Sequence, residues 1–206
     1  NRRLAENGLG CLAVSSHDLP APVSMLYQII SFLLEVAVSL VGGACLLRHY
    51  MQHQRVSFAN PVGRFVFALT DWLVLPLRRV VPSVGAWDLA SLVGAYGVKL
   101  AQFGLLGVLG GGTAVLVWVP VLALFGLLQM VISGLSGLLI VYALLSWTQT
   151  SSPVAAVIAR LCEPLLRPIR QIVPLVGGID LSPLVLLVLL QVAAMVLAAV
   201  QQTVLR

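Results

Sequence analysis

Charged side chains are scarce in this 206-residue sequence: they make up 9% of it, whereas hydrophobic residues make up 60%. A soluble domain carries about 25% charged residues. The chain therefore lacks the polar groups needed for a hydrated surface, and its mean hydropathy of +1.04 favours lipid as the main solvent. Its net charge of +5 lies in short basic clusters beside apolar runs. Because no basic stripe with interleaved aromatic residues occurs, nucleic acid is not an expected partner.

Metal-binding and catalytic residue types are also rare. The three cysteines, Cys11, Cys45 and Cys162, form no C-x-x-C pair and indicate no disulfide framework. The sequence has three histidines and seven acidic residues, without a nucleophile–base pair, a phosphate-binding loop or a metal-hydrolase helix. We therefore predict a protein that is not an enzyme and holds no cofactor.

One stretch of the sequence occurs twice, at an offset of 92 residues. Residues 61–93 align with residues 153–185 without a gap, and 14 of the 33 positions are identical. The identical pairs include Pro76/Pro168, Arg78/Arg170, Pro82/Pro174, Gly85/Gly177 and Asp88/Asp180. Because each copy leads into a long apolar run, the duplication predicts two tandem membrane repeats.

Four apolar runs are each long enough to cross the hydrocarbon core, which takes about 20 residues. We place them at 25–47, about 89–110, about 122–147 and 181–205, with the break between the second and third runs near Gly110-Gly111-Gly112 or Val119-Pro120. Residues 1–24 are polar and are predicted to be a disordered leader or upstream sequence that the native protein lacks. The predicted organisation is a leader at 1–24, a first repeat at 25–110, an outer connection at 111–121 and a second repeat at 122–206.

Each repeat also carries a shorter helix between its two spans. Asn60-Pro61 and Ser152-Pro153 are helix-start signals, with a capping side chain followed by proline in the first turn. In the first copy the apolar residues that fall near one face are Phe65, Leu69, Trp72 and Leu73. Such an amphipathic helix of about 15 residues is too short and too charged to span, so we expect it to lie in the membrane interface.

The ends of these shorter helices are predicted from proline, glycine and aspartate. We expect Pro76 and Pro82 to break the first helix and Gly85 to allow the turn that follows. Asp88 is expected to cap the second span, and Asp180 or Ser182 the fourth.

Basic residues predict the orientation in the membrane. Arginines cluster between spans one and two and between spans three and four, whereas the connection between spans two and three has no lysine or arginine. By the positive-inside rule both repeated motifs face the cytoplasm and both termini face outward.

The doubled motif resembles that of the YggT family of small bacterial membrane proteins, called YlmG in Gram-positive bacteria and plastids. The resemblance rests on 164–170, Pro-Leu-Leu-Arg-Pro-Ile-Arg, and 177–183, Gly-Gly-Ile-Asp-Leu-Ser-Pro, and covers about Met25 to the C-terminus. The first copy departs from it, with Leu75 in place of the first arginine and 89–91 reading Leu-Ala-Ser. The resemblance implies an inner-membrane protein linked to osmotic or extracytoplasmic stress, without an established catalytic activity. It also implies proximity to division genes and, in plastids, roles in nucleoid distribution and haem attachment to a cytochrome b.

Two charges fall inside the predicted spans, Glu35 and Lys99. Each lies about ten to twelve residues from the cytoplasmic end of its span, about 15–18 Å deep at 1.5 Å per residue. A single charge at that depth costs several kcal/mol, so we expect the two to pair. The pair either holds the spans together or contributes to an ion or proton path.

A stripe at the end of span one contains potential metal ligands. Cys45, His49 and His53 lie at i, i+4 and i+8, and thiolate and imidazole suit zinc, copper or haem iron. No fourth ligand is evident, so we interpret the stripe as ordinary interfacial residues and predict no metal.

The repeated arginine–aspartate spacing marks the main candidate site. Arg78/Asp88 and Arg170/Asp180 share one spacing. In one interpretation each pair forms a salt bridge; in the other, the pairs belong to a site that binds lipid headgroups or a partner protein. Arg79 and Arg167 are the neighbouring basic residues that we assign to such contacts.

The predicted fold is therefore an all-α membrane protein with four transmembrane helices in two tandem repeats, each with a cytoplasmic interfacial helix. We expect a non-enzymatic inner-membrane factor in osmotic or extracytoplasmic stress or in membrane-complex assembly. It would act on the lipid bilayer, a membrane-protein partner or its own homo-oligomer. The alternatives are a small ion channel or transporter, indicated by Glu35 and Lys99, and a haem or cofactor delivery factor, indicated by the Cys45–His49–His53 stripe.

Overall fold

The structure, a computed structural model, describes residues 21–81, 87–109, 117–147, 152–171 and 180–204. These residues form six α-helices: α1 (Ala21–His53), α2 (Pro61–Arg78), α3 (Leu89–Leu109), α4 (Val119–Trp147), α5 (Pro153–Arg170) and α6 (Ser182–Val204). Residues 1–20 of the predicted leader at 1–24, the motif residues Pro82, Gly85, Pro174, Gly177 and Gly178, and the glycine run at 110–112 lie outside this description. The fold is all-α.

Four of the helices, α1, α3, α4 and α6, are long and apolar enough to cross a membrane. Their positions agree with the predicted spans to within a few residues, and they differ most at both ends of α1 and at the start of α4. α1 begins at Ala21, inside the predicted leader, and continues through His53. α4 begins at Val119, so Val119-Pro120 marks the point where the connection ends and the third span starts; proline is tolerated in a first helical turn.

The two shorter helices, α2 and α5, have the same length of 18 residues and begin 92 positions apart. The side chain of Asn60 accepts a hydrogen bond from the backbone N–H of Gly63, and that of Ser152 accepts one from Ala155. Each cap is followed by proline at the first helical position, as the sequence predicts. α2 buries Gly63, Val66, Thr70 and Val74, whereas Phe65 and Trp72 are exposed.

Pro76 does not break α2, contrary to the prediction. The helix continues through Pro76 to Arg78, and α5 likewise contains Pro164 and Pro168. A proline removes one backbone N–H donor and disturbs the turn before it. Pro76 lies in the last turn of α2, so only one helical hydrogen bond is lost and only two residues follow it before the helix ends.

The spans pack in the order α1, α3, α4 and α6, with α1 also touching α4. α2 lies against α1 and α3, and α5 lies against α4 and α6. The two short helices also meet each other, around the buried side chains of Met51, Val56 and Leu161. The phenolic O–H of Tyr50 donates to the carbonyl oxygen of Leu161 at 2.8 Å, which links α1 to α5. Both short helices therefore lie at the same end of the bundle.

Candidate functional site: two elbows and an intramembrane cluster

The first elbow consists of Arg78, Asp88 and the residues that contact them, where α2 leads into α3. Arg78 Nη2 lies 2.8 Å from Asp88 Oδ2, and the Asp88 side chain is fully buried. The same carboxylate accepts hydrogen bonds from the backbone N–H of Ser91, at 3.3 Å, and from its hydroxyl, at 2.7 Å. Asp88 therefore caps α3, as predicted, and ties α2 to the start of that span.

Arg48 is a member of the first elbow that the sequence did not single out. Its side chain is only 3% exposed, and Nη1 donates to Asp71 Oδ1 at 2.7 Å and to the Thr70 hydroxyl at 2.8 Å. Its guanidinium lies over the Phe67 ring, 4.6 Å from the centroid, and its Nε is 3.7 Å from Asp88 Oδ2. From the sequence alone, Arg48 is one of the arginines between spans one and two that predict orientation, because its partners Thr70 and Asp71 lie on another helix more than 20 residues away.

The second elbow, where α5 leads into α6, depends on one arginine. Arg170 Nε lies 2.8 Å from Asp180 Oδ2, and its Nη1 lies 2.9 Å from Glu163 Oε2. Its Nη2 donates to the hydroxyl of Tyr142 at 2.8 Å, and Asp180 accepts from the backbone N–H of Ser182 at 2.9 Å. At the offset of 92, Asp71 corresponds to Glu163, but the position of Arg48 holds isoleucine. Arg170 therefore bonds both carboxylates of its elbow.

Both elbow aspartates have a lowered pKa. Burial alone raises the pKa of Asp88, but the hydrogen bonds from Ser91 and the Arg78 guanidinium outweigh it and hold the pKa below its usual value. Burial also raises the pKa of Asp180, and the bonds from Ser182 and Arg170 reverse that effect. Both carboxylates are therefore ionised at neutral pH and remain matched to their arginines.

Arg79 and Arg167 differ from the arginines that form the elbows. Both side chains are exposed, and neither forms an ion pair within the described residues. Arg64 and Arg160 are likewise exposed on α2 and α5. The structure thus separates arginines that hold the fold from arginines available to a phosphate or carboxylate group outside it.

An intramembrane cluster joins α1 to α3. Lys99 Nζ lies 3.2 Å from Glu35 Oε1 and 3.0 Å from Gln102 Oε1, and the amide of Gln102 donates to Glu35 Oε2. The hydroxyl of Ser39 donates to Glu35 Oε1 at 3.3 Å. The structure therefore brings together the two charges that the sequence expected to pair, and adds Gln102, a neutral residue that no charge-based reasoning could select.

Lys99 and Gln102 are buried, whereas the Glu35 side chain remains 40% exposed at the edge of the cluster. Lys99 Nζ also lies 5.8 Å from the centroid of the Phe103 ring. The ammonium group is therefore enclosed by a carboxylate, an amide and an aromatic ring. This arrangement neutralises the cation and fastens α1 to α3.

The Cys45–His49–His53 stripe lies on one continuous helix, but its side chains turn to other partners. His49 Nδ1 is 3.1 Å from the carbonyl oxygen of Asp88, and the rings of His49 and His53 pack against Trp87. Within the described residues, no three histidine, cysteine or acidic side chains converge on a point that could hold a metal ion. Burial also raises the pKa of Cys162 to about 12, so that thiol is a poor ligand or nucleophile at neutral pH.

The chain is, by fold, a polytopic α-helical membrane protein in which two short helices are tied to the spans that follow them. The profile of the CCB3/YggT family matches it at residues 27–109 and again at 121–201, and the chain belongs to this family.

Relatives with this sequence pattern occur in several bacteria. The chain is 38% identical over 179 residues to "Uncharacterized protein YggT" of Escherichia coli, which covers 84% of this chain and 91% of that one. It is also 38% identical over 167 residues to "Uncharacterized protein in proC 3'region" of Vibrio alginolyticus, covering 79% and 90% of the two chains. "Uncharacterized protein PA0392" of Pseudomonas aeruginosa is 34% identical over 161 residues, covering 74% and 80%. No solved structure matches the chain.

Proposed function

We propose that this protein is a non-enzymatic factor of the bacterial inner membrane that supports membrane-complex assembly during osmotic or extracytoplasmic stress. It does so by binding lipid headgroups or a partner protein at the cytoplasmic surface. The observation that carries the proposal is that some arginines are paired inside the fold and others are exposed. Arg78 and Arg170 are bonded to the aspartates of the elbows, whereas Arg79 and Arg167 are exposed one to three residues away.

The elbows support this function because they fix the position of α2 and α5. A short helix joined to a span only by a loop would change its angle to the membrane freely. The 2.8 Å bonds from Arg78 to Asp88 and from Arg170 to Asp180 restrain that angle in both halves. Charge-assisted bonds of this kind are about twice as strong as bonds between neutral groups. A surface presented in one orientation suits recognition of a partner.

The exposed residues of α2 fit a position in the membrane interface. Phe65 is 60% exposed and Trp72 is 65% exposed, on the side of α2 that faces away from the bundle. Tryptophan is favoured at the headgroup level, and phenylalanine is common on the apolar face of helices that lie in the interface. Arginine beside such a helix attracts anionic lipid or an acidic partner, each basic residue contributing about 1 kcal/mol near an anionic surface.

The ion-channel alternative is less well supported by the intramembrane cluster. The carboxylate of Glu35 accepts hydrogen bonds from Lys99, Gln102 and Ser39. Lys99 also donates to the side-chain oxygen of Gln102. A conduction path needs groups that bind an ion weakly enough to release it. The contacts of Glu35 and Lys99 instead favour a role in holding α1 against α3.

The experiment is affinity purification after cross-linking in native bacterial membranes, combined with growth of a deletion strain after an osmotic upshift. The variant Arg79→Glu/Arg167→Glu should lose the cross-linked partner and fail to restore growth, with an unchanged melting temperature. The matched control Arg79→Lys/Arg167→Lys keeps the charge and should restore growth. Full partner recovery and normal growth with the glutamate variant would contradict the proposal.

A further inference from the structure

α6 is far more exposed than its counterpart in the other half, α3. In the most apolar part of each helix, 39% of the residues of α3 are buried inside the protein but only 6% of those of α6. Both helices follow an elbow aspartate and begin 93 residues apart. The difference arises because α3 packs against α1 on one side and α4 on the other, whereas α6 packs mainly against α4 and α5.

The exposed face of α6 corresponds to the face of α3 that α4 covers. Phe103 of α3 is 6% exposed and packs against Val119, Leu122 and Ala123 of α4. At the offset of 92 its counterpart is Met195, which is 62% exposed. The counterpart of the buried Lys99 is Gln191, which is also exposed. Within the described residues, no helix covers on α6 the face that α4 covers on α3.

Gln191 makes lipid a poor occupant of this face. It lies 11 residues after Asp180, just as Lys99 lies 11 residues after Asp88, which is about 16 Å along the helix at 1.5 Å per residue. None of the described residues forms a hydrogen bond with its side-chain amide. An amide without a partner in hydrocarbon costs several kcal/mol, so a protein group is the better neighbour.

The 92-residue offset between the repeats also indicates which helix would cover this face of α6. α4 covers α3, and the counterpart of α4 at the offset of 92 is α1. At the corresponding position α1 is partly open, because Ile30, the counterpart of Leu122, is 38% exposed. It also carries Glu35, whose side chain is 40% exposed and lies at the depth of Lys99.

We propose that α6 binds α1 of a second copy of this chain, repeating between copies the contact that α3 makes with α4 within one. Ile30 of the second copy packs on Met195, and the amide of Gln191 donates to the open side of the Glu35 carboxylate. The intramembrane cluster is completed across the contact by a residue of the neighbouring copy. This contact does not depend on what the elbows bind.

The test is disulfide cross-linking between differently tagged full-length chains in native membranes, with Cys11, Cys45 and Cys162 replaced by serine. One chain carries Met195→Cys and the other carries Ile30→Cys, and a cross-linked heterodimer is expected. In the control the second chain carries Phe32→Cys, an exposed position on the opposite side of α1, and should form little of it. Absence of the first product, or equal yield of both, would overturn the proposal.

A second measurement separates a specific contact from chance collision. Gln191→Leu should lower the association constant in nanodiscs about 3- to 30-fold, the range expected for one interhelical hydrogen bond in a membrane. The matched variant Thr203→Val, which removes an exposed hydroxyl from another face of α6, should leave it unchanged. Purely monomeric protein in nanodiscs at all lipid ratios, or equal effects of the two substitutions, would contradict the contact.

Discussion

Arg48 shows most clearly how single residues hold this protein together. It is a cation at the end of a membrane span, yet it is buried and shared between Asp71, Thr70 and the Phe67 ring. Sequence reasoning could find the pairs Arg78/Asp88 and Arg170/Asp180, because their spacing is repeated. It could not assign Arg48, since that arginine has no counterpart in the second repeat and its partners depend on how α2 packs on α1.

We predict that Arg48→Ala lowers the free energy of unfolding by about 3 kcal/mol, because it leaves the buried Asp88 and the half-buried Asp71 short of a counter-charge. Thermal unfolding in nanodiscs measures the effect. Arg167→Ala is the control and should change the free energy by less than about 0.5 kcal/mol, since its side chain is exposed. Equal melting temperatures for Arg48→Ala and wild type would show that Arg48 does not hold the elbow.

The intramembrane pair has its own residue-scale prediction. Glu35→Gln should lower the free energy of unfolding by about 3 kcal/mol, because Lys99 is then buried without a counter-charge. Adding Lys99→Met should restore most of the loss. Both effects are measured by thermal unfolding of the single and double variants in nanodiscs. A Glu35→Gln protein that is as stable as wild type but cannot restore growth after an osmotic upshift would instead support an ion path.

At the scale of helices, the capped starts and the four spans were predictable because capping residues and apolar length are local signals. The end of α2 was not, because proline in the last turn is tolerated when few backbone bonds remain to be lost. The start of α2 is more restricted than its sequence suggests. A Cβ atom on Gly63 would lie 2.7 Å from Phe58 Cα, which is closer than van der Waals contact allows. Because Phe58 Cα is a backbone atom, it cannot move aside as a side chain could.

Gly63→Ala should therefore destabilise the protein by about 1–3 kcal/mol, the usual cost of forcing extra volume into a packed site. Gly97→Ala, in α3, is the matched control because nothing lies within 4 Å of its added Cβ. It should be neutral or stabilising by up to about 1 kcal/mol, since alanine favours helix. Thermal unfolding in nanodiscs gives both values, and a neutral Gly63→Ala would mean that the segment before α2 can shift.

At the scale of the whole molecule, the predicted duplication accounts for the matching positions of α2 and α5 and for the two elbows. The halves are not equivalent, however: the first has Arg48, Glu35 and Lys99, and the second has neither the extra arginine nor an intramembrane charge pair. That asymmetry could be read from the sequence. Its consequence, a well-covered α3 and an exposed α6, could not, because it depends on which spans pack together.

The account depends most directly on both elbows lying at the cytoplasmic surface, and cysteine accessibility in intact cells tests this. Single cysteines at Val80 and Gln171, placed in a chain whose native cysteines are serine, should react with a membrane-impermeant thiol reagent only after the membrane is opened. A cysteine at Trp118, between α3 and α4, should react in intact cells. Labelling of either elbow position from outside, in cells whose membranes are intact, would contradict the account.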